Sequence, residues 1–218
     1  MAGLLIFDLD GTLVETAPDL AAALNVAMAA EGLAPIPLDQ VRSLVGAGVR
    51  ALIERGLKVN GASVSPARLD ALQKVFLDHY GAHIADLSRP YPGLIAGLER
   101  LRGEGWRFAV ATNKLEAYAR QLIDELDMNH WFVAITGGDT FPFKKPDGRH
   151  LAETVRLAGG GPAIMVGDSA TDVNAARDAG LPVIGVSFGY TDVPMKDLNP
   201  DVLIDHFDAF HAAVTRLA

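Results

Sequence analysis

Asp8-Leu9-Asp10-Gly11-Thr12 sets two carboxylates two positions apart, at the end of an unbroken apolar run that begins at Leu4. In an extended chain that spacing aims both side chains the same way. Carboxylates held together repel unless one is protonated or a cation lies between them. Gly11 permits a sharp turn. Asp-Gly alone would be no more than a turn, but an Asp closing a fully apolar strand is harder to explain that way. Three further segments place polar residues where an apolar run stops. Thr112-Asn113 follows Phe108-Ala109-Val110-Ala111 and offers a hydroxyl and a backbone N–H to an anion, or else an ordinary helix N-cap. Lys144-Lys145-Pro146-Asp147 offers a compact positive charge, or else a solvated loop pair. Gly167-Asp168-Ser169-Ala170-Thr171-Asp172 follows Ala163-Ile164-Met165-Val166. It carries one carboxylate at a strand end and another one turn into the next helix, where the helix dipole also favours an acid.

Together the four segments say more than each alone. Asp8, Asp10 and Asp168, each at a strand end, would converge on one edge of a sheet. Converging carboxylates call for a hard divalent cation, and oxygen-only ligation suits Mg²⁺. A lysine and a Thr/Asn pair nearby would complete a phosphate cradle. A carboxylate nucleophile beside Mg²⁺ implies an aspartyl-phosphate intermediate.

The elements that must position these residues follow from the apolar pattern. Short apolar runs bounded by turn signals occur at Leu4–Leu9, Phe108–Ala111, Val133–Ile135, Ala163–Val166, Val183–Val186 and Val202–Ile204. Helix-period stretches separate them, at Pro92–Arg102, Glu116–Leu126 and Thr171–Ala179. Alternating strands and helices predict a doubly wound α/β fold with a mainly parallel sheet. From about Thr16 to about Arg89 no strand is legible. Thr16, with Asp19 three residues on, reads as an N-cap before Leu20, Leu24 and Met28. Ser65-Pro66 opens a second long helix, and Val41–Leu57 is helical with a break at Gly46-Ala47-Gly48. An all-helical insert at the carboxyl end of a sheet can act as a lid, or only add stability. Pro90-Tyr91-Pro92-Gly93 marks the return to the core. The expected division is residues 1–15 and 90–218 as an α/β core and 16–89 as a helical cap.

Composition narrows the function classes. The chain has 218 residues, half of them hydrophobic and 21% charged, which is ordinary globular composition. The absence of cysteine excludes disulfides, thiolate metal sites and cysteine nucleophiles, and fits a reducing, cytoplasmic setting. A net charge of −8 without a basic run argues against a nucleic-acid partner. The apolar N-terminus lacks a basic region and meets Asp8 at once, so it does not read as a signal peptide, and no run is long enough for a membrane helix. His79 and His83 have helical i,i+4 spacing but no zincin acid, and read as surface or packing residues. His206 and His211 make no better case.

The ordered set Asp8-x-Asp10-Gly11-Thr12, Thr112-Asn113, Lys145-Pro146 and Gly167-Asp168-x-x-x-Asp172 resembles the four motifs of the haloacid dehalogenase superfamily. The insert resembles that superfamily's C1 cap. Val45-Gly46-Ala47-Gly48, Tyr91-Pro92-Gly93, Gly137-Gly138-Asp139 and Val186-Ser187-Phe188-Gly189-Tyr190 resemble its phosphoglycolate phosphatase family. The resemblance implies a Rossmann-like core and a Mg²⁺-dependent phosphatase for a small phosphorylated metabolite, 2-phosphoglycolate first. It implies Asp8 as nucleophile and metal ligand, and Asp10 as general acid and base that also lends its carbonyl to the metal. Thr112 and Asn113 would hold phosphate, Lys145 would offset charge, and Asp168 would bind metal. Asp172 would orient metal-bound waters or Lys145, and Thr12 would steady Asp10 beside the phosphate. Gly46, Gly48 and Arg50 would face the substrate, although Arg50 also reads as an exposed helix charge. Dehalogenase members lack an Asp at the Asp10 position, so its presence argues for phosphoryl transfer. The alternatives are another substrate such as a sugar phosphate or pyrophosphate, a phosphohexomutase, a phosphonatase, a receiver-like signalling module or a silent binding protein.

Overall fold

The computed structural model describes residues 3–218. Each apolar run forms a strand: β1 (Leu4–Phe7), β4 (Arg107–Ala111), β5 (Phe132–Thr136), β6 (Ala163–Gly167), β7 (Val183–Val186) and β8 (Val202–Ile204). They make one six-stranded sheet in the order β5-β4-β1-β6-β7-β8, all parallel. The chain leaves β1 for β4 and β5 on one side, then crosses back to β6 on the other. β1 therefore lies at the switch point where α/β sheets open a crevice at their carboxyl ends.

Side chains alternate between the two faces of the sheet. Leu5, Phe7, Phe108 and Val110 pack into one core with α5 (Leu94–Gly103), α6 (Glu116–Glu125) and α9 (Phe210–Leu217). Leu4, Ile6, Ala109 and Met165 pack into the other with α7 (Gly148–Leu157) and α8 (Ala170–Asp178). Burial on both faces explains why these strands read as continuous apolar runs.

Between β1 and β4 the chain makes α1 (Ala17–Ala29), α2 (Leu38–Arg42), α3 (Val49–Val59) and α4 (Pro66–Ala82). These helices pack on one another, α1 and α3 both against α4. Leu24, Leu52, Leu72 and Phe76 line their shared interior. Ser65 caps α4 by accepting from the Arg68 N–H, and Gly46-Ala47-Gly48 separates α2 from α3.

A two-stranded antiparallel ribbon that the apolar pattern does not reveal closes the base of this segment. β2 (Val14–Glu15) pairs with β3 (Arg89–Pro90). The expected capping box at Thr16 and Asp19 is absent: Thr16 makes no side-chain cap to α1. The buried Asp19 carboxylate instead accepts from the N–H of Leu87 (3.1 Å) and from the N–H and hydroxyl of Ser88 (2.7 and 2.6 Å). This ties the first turn of α1 to the chain's exit from the helical segment. No helix among the described residues is long and apolar enough to cross a membrane.

Candidate active site

Strand register brings the motifs together. Phe7 lies opposite Val110 of β4 and Val166 of β6. Asp8, one residue on, and Thr112 and Asp168, two residues on, therefore leave the same carboxyl edge on adjacent strands, and the Asp8 N–H extends the ladder to the Val166 carbonyl (2.9 Å). The chain then turns at Gly11, whose φ of 81° favours glycine and where a Cβ would lie 2.3 Å from Asp168 Oδ2.

Lys145 is fully buried, with Nζ 3.0 Å from Asp8 Oδ1 and 2.6 Å from Asp172 Oδ1. Burial alone would lower its pKa, but the two carboxylates outweigh that and raise it, so it stays a cation. Asp172 Oδ2 accepts from the N–H groups of Asp168 (3.2 Å) and Ser169 (3.1 Å) and from the Ser169 hydroxyl (2.8 Å). Asp168 accepts from the Thr12 hydroxyl (3.1 Å) and the Tyr190 N–H. Burial, then Asp172 and Asp8, push the Asp168 carboxyl well above the usual carboxylate range. Burial also raises Asp8, to about 6 despite Lys145, with Asp172 and Asp10 adding to the rise.

Asp8, Asp168 and Asp172 present carboxylate oxygens within 4.8 Å of one another. One lysine among three carboxylates leaves two negative charges unbalanced. The donors are all oxygen, so the residues fit a hard divalent cation such as Mg²⁺. The Asp10 carboxylate lies apart from this trio, which leaves its backbone carbonyl as the group Asp10 was expected to offer a metal. The carboxylate accepts from the Thr16 hydroxyl (2.7 Å) and from Lys114 Nζ (2.8 and 2.9 Å). Thr16 is thus Asp10's hydroxyl partner rather than a helix cap. The buried Thr12 hydroxyl donates to Asp168 and not to Asp10, and Thr12 is not among the residues that line the pocket.

Asp8, Asp10, Thr112, Asn113, Lys114 and Asp168 line a pocket from the sheet side. Gly46, Gly48, Val49 and Leu52 line it from the helical segment. The Asn113 side-chain N–H₂ donates to the carbonyls of Lys145 (3.0 Å) and Gly46 (3.3 Å), stitching the two sides together. Arg50 is outside this pocket. It is exposed on α3 and pairs with Asp70 and Glu54, as a helix charge does when its side chain faces solvent. His79 and His83 stack on α4, and His83 pairs with Asp86, away from the pocket.

Sequence reasoning missed two site residues. Lys114 follows Thr112-Asn113 directly, so its position at a strand end was a signal left unused. Burial would lower its pKa, but Asp10 and its hydrogen bonds raise it. Tyr190 was noted only as a family mark. Its hydroxyl accepts from the N–H groups of Thr16 (2.7 Å) and Ala17 (2.8 Å), across more than 170 residues, where no local pattern could announce it.

Residues 5–186 match the family model for haloacid dehalogenase-like hydrolases. The chain is 49% identical to a phosphoglycolate phosphatase of Agrobacterium fabrum, over 98% of this chain and 93% of the other. It is 46% identical to one of Caulobacter vibrioides, over 97% and 90%. A crystal structure described as a predicted phosphoglycolate phosphatase of Haemophilus somnus superposes with a TM-score of 0.91 at 29% identity, covering 98% of each chain. With its motifs gathered at one sheet edge and matched along most of its length, this chain belongs to the haloacid dehalogenase-like hydrolases.

Proposed function

We propose that this chain is a Mg²⁺-dependent phosphatase that hydrolyses 2-phosphoglycolate to glycolate and phosphate in the cytoplasm. The convergence of Asp8, Asp10 and Asp168 in one pocket, with buried Lys145 against Asp8, carries the chemistry. The relatives at 46–49% identity, phosphoglycolate phosphatases by name, support the substrate. We take residues 16–89 as a cap that closes over the α/β core of residues 1–15 and 90–218, with Gly46 and Gly48 facing the substrate.

Asp8 is the nucleophile. Its carboxylate attacks phosphorus, the bond to the leaving oxygen breaks, and Asp10 gives that oxygen its proton. Asp10 then takes a proton from the water that attacks the aspartyl phosphate, releasing phosphate and restoring Asp8. Lys145 offsets charge on Asp8 and on the phosphoryl oxygens throughout, and Thr112 and Asn113 hold those oxygens. Asp8 and Asp168, with the Asp10 carbonyl, would hold Mg²⁺, which supplies charge neutralisation for the transferring group. Asp172 uses both oxygens to fix Lys145 and the start of α8, so it acts as support.

Phosphate release from 2-phosphoglycolate, glucose phosphates, glycerol 3-phosphate, pyrophosphate and p-nitrophenyl phosphate, with Mg²⁺ and with EDTA, tests this reading. The expected result is Mg²⁺-dependent release with kcat/KM at least about 100-fold higher for 2-phosphoglycolate. Equal rates across the panel would remove the substrate, and full activity in EDTA would remove the metal.

A further inference from the structure

We propose that Lys114 is the residue that reads the carboxylate of the substrate. The inference rests on the phosphoglycolate reading and deepens it. Transfer to Asp8 requires the leaving oxygen to lie within a hydrogen bond of Asp10, its proton donor. In phosphoglycolate the carboxylate carbon is two bonds beyond that oxygen. The group that recognises it must therefore stand beside Asp10, and Lys114 does, with Nζ 2.8 Å from Oδ1 and 2.9 Å from Oδ2.

The other nearby cations are committed elsewhere. Lys145 is closed in by Asp8 and Asp172. Arg50 faces solvent with Asp70, and Arg42 is paired with Glu15 at 2.8 Å. The Lys144 ammonium is held by the Ala47 carbonyl (3.4 Å), and Lys144 does not line the pocket. Lys114 lines the pocket with its side chain only 6% exposed. An ammonium has three donors. Here one oxygen pair of Asp10 takes its hydrogen bonds, which leaves a donor for a second carboxylate. The Tyr80 ring packs on the ammonium, Nζ 4.7 Å from the ring centre, and fixes its position. From the helical wall α3 begins at Val49, and its N-cap Gly48 gives no side-chain cap, so its first N–H groups add positive potential to the pocket. A pocket built to bind a carboxylate leaves its buried donors unpaired when the carboxylate is missing, which is how such sites reject neutral analogues.

The test compares 2-phosphoglycolate with 2-hydroxyethyl phosphate, in which a hydroxymethyl group replaces the carboxylate. kcat/KM is measured for both substrates in the original chain and in Lys114→Met and Lys114→Gln, with thermal unfolding as the check on folding. The Gln variant keeps an N–H₂ for Asp10 but removes the charge. Any loss shared by the two substrates reports the lost hold on Asp10, so the readout is their ratio. The original chain should prefer the carboxylate by at least about 100-fold, and that preference should shrink to within several-fold of unity in both variants. A preference that survives in either folded variant overturns the assignment of Lys114 while leaving the substrate intact. A chain with no preference to begin with overturns both, so the two failures are distinguishable.

Discussion

Each site side chain is held by partners that leave little freedom. Asp172 spends both oxygens on Lys145 and the backbone of residues 168–169, and Asp10 spends both on Lys114 and Thr16. The motif aspartates and Lys145 were legible because each closes or follows an apolar run. Their partners were not, because a hydroxyl's choice of acceptor is tertiary. Thr12 and Thr16 stand four residues apart, on either side of β2, yet one serves Asp168 and the other Asp10. A titration prediction belongs at this scale. His150 is buried, with Nε2 3.1 Å from the Thr136 hydroxyl and Nδ1 without a partner among the described residues. Burial, then the charge of Lys145, lowers its pKa to about 4. The unfolded chain therefore binds the proton first, and stability is lost as pH falls from about 6.5 towards 4. Asp8, raised to about 6, acts with the opposite sign in the metal-free protein, gaining stability as pH falls over the same window. Only a difference separates them. Against His150→Gln, the original chain should lose about 2–3 kcal/mol in denaturant unfolding between pH 7 and pH 4. A constant difference would mean that His150 does not titrate in that window.

At the scale of elements, the sheet positions the chemistry and a short ribbon positions the helices. The six strands could be read in advance because burial on both faces forces unbroken apolar sequence. β2 and β3 could not, since two-residue strands have no period to detect. The break at Gly46-Ala47-Gly48 was legible, and it places Gly46 and Gly48 in the pocket wall. Arg50, two residues on, turns to the outer face of α3, because helical geometry and not sequence distance decides which side chains face a pocket. The Asp19 clamp joins α1 to residues 87–88 at the base of the insert. Asp19→Ala leaves the buried N–H and hydroxyl of Ser88, and the part-buried N–H of Leu87, without an acceptor and should cost roughly 2–3 kcal/mol in denaturant unfolding. Asp19→Asn, which keeps a carbonyl oxygen, should recover part of that loss. Equal stability of the original chain and the Ala variant would show that the clamp is energetically idle.

The whole molecule is an α/β sheet whose switch point at β1 gathers residues 8, 112 and 168 from across the sequence, with Lys145 against Asp8, under helices inserted between the first motif and the second. The order of the motifs made that arrangement legible, because each motif follows a strand of one parallel sheet. Which wall of the pocket Lys114 joins depends on how the helices sit over the sheet edge, and no single segment encodes that. A chain of net charge −8 must also admit an anion. It does so through local cations and helix N-termini at one edge and not through its overall field. On the proposed reading, these parts serve one covalent step, at the Asp8 carboxylate. The measurement that tests it most directly is rapid quenching of the protein during turnover of 2-phosphoglycolate, followed by borohydride reduction and mass spectrometry of the peptide containing residue 8. An aspartyl phosphate on Asp8 is reduced to homoserine at that position, and Asp8→Asn should give neither homoserine nor phosphate release. Homoserine at another aspartate, or unimpaired turnover by Asp8→Asn, would contradict the assignment of Asp8 as the nucleophile.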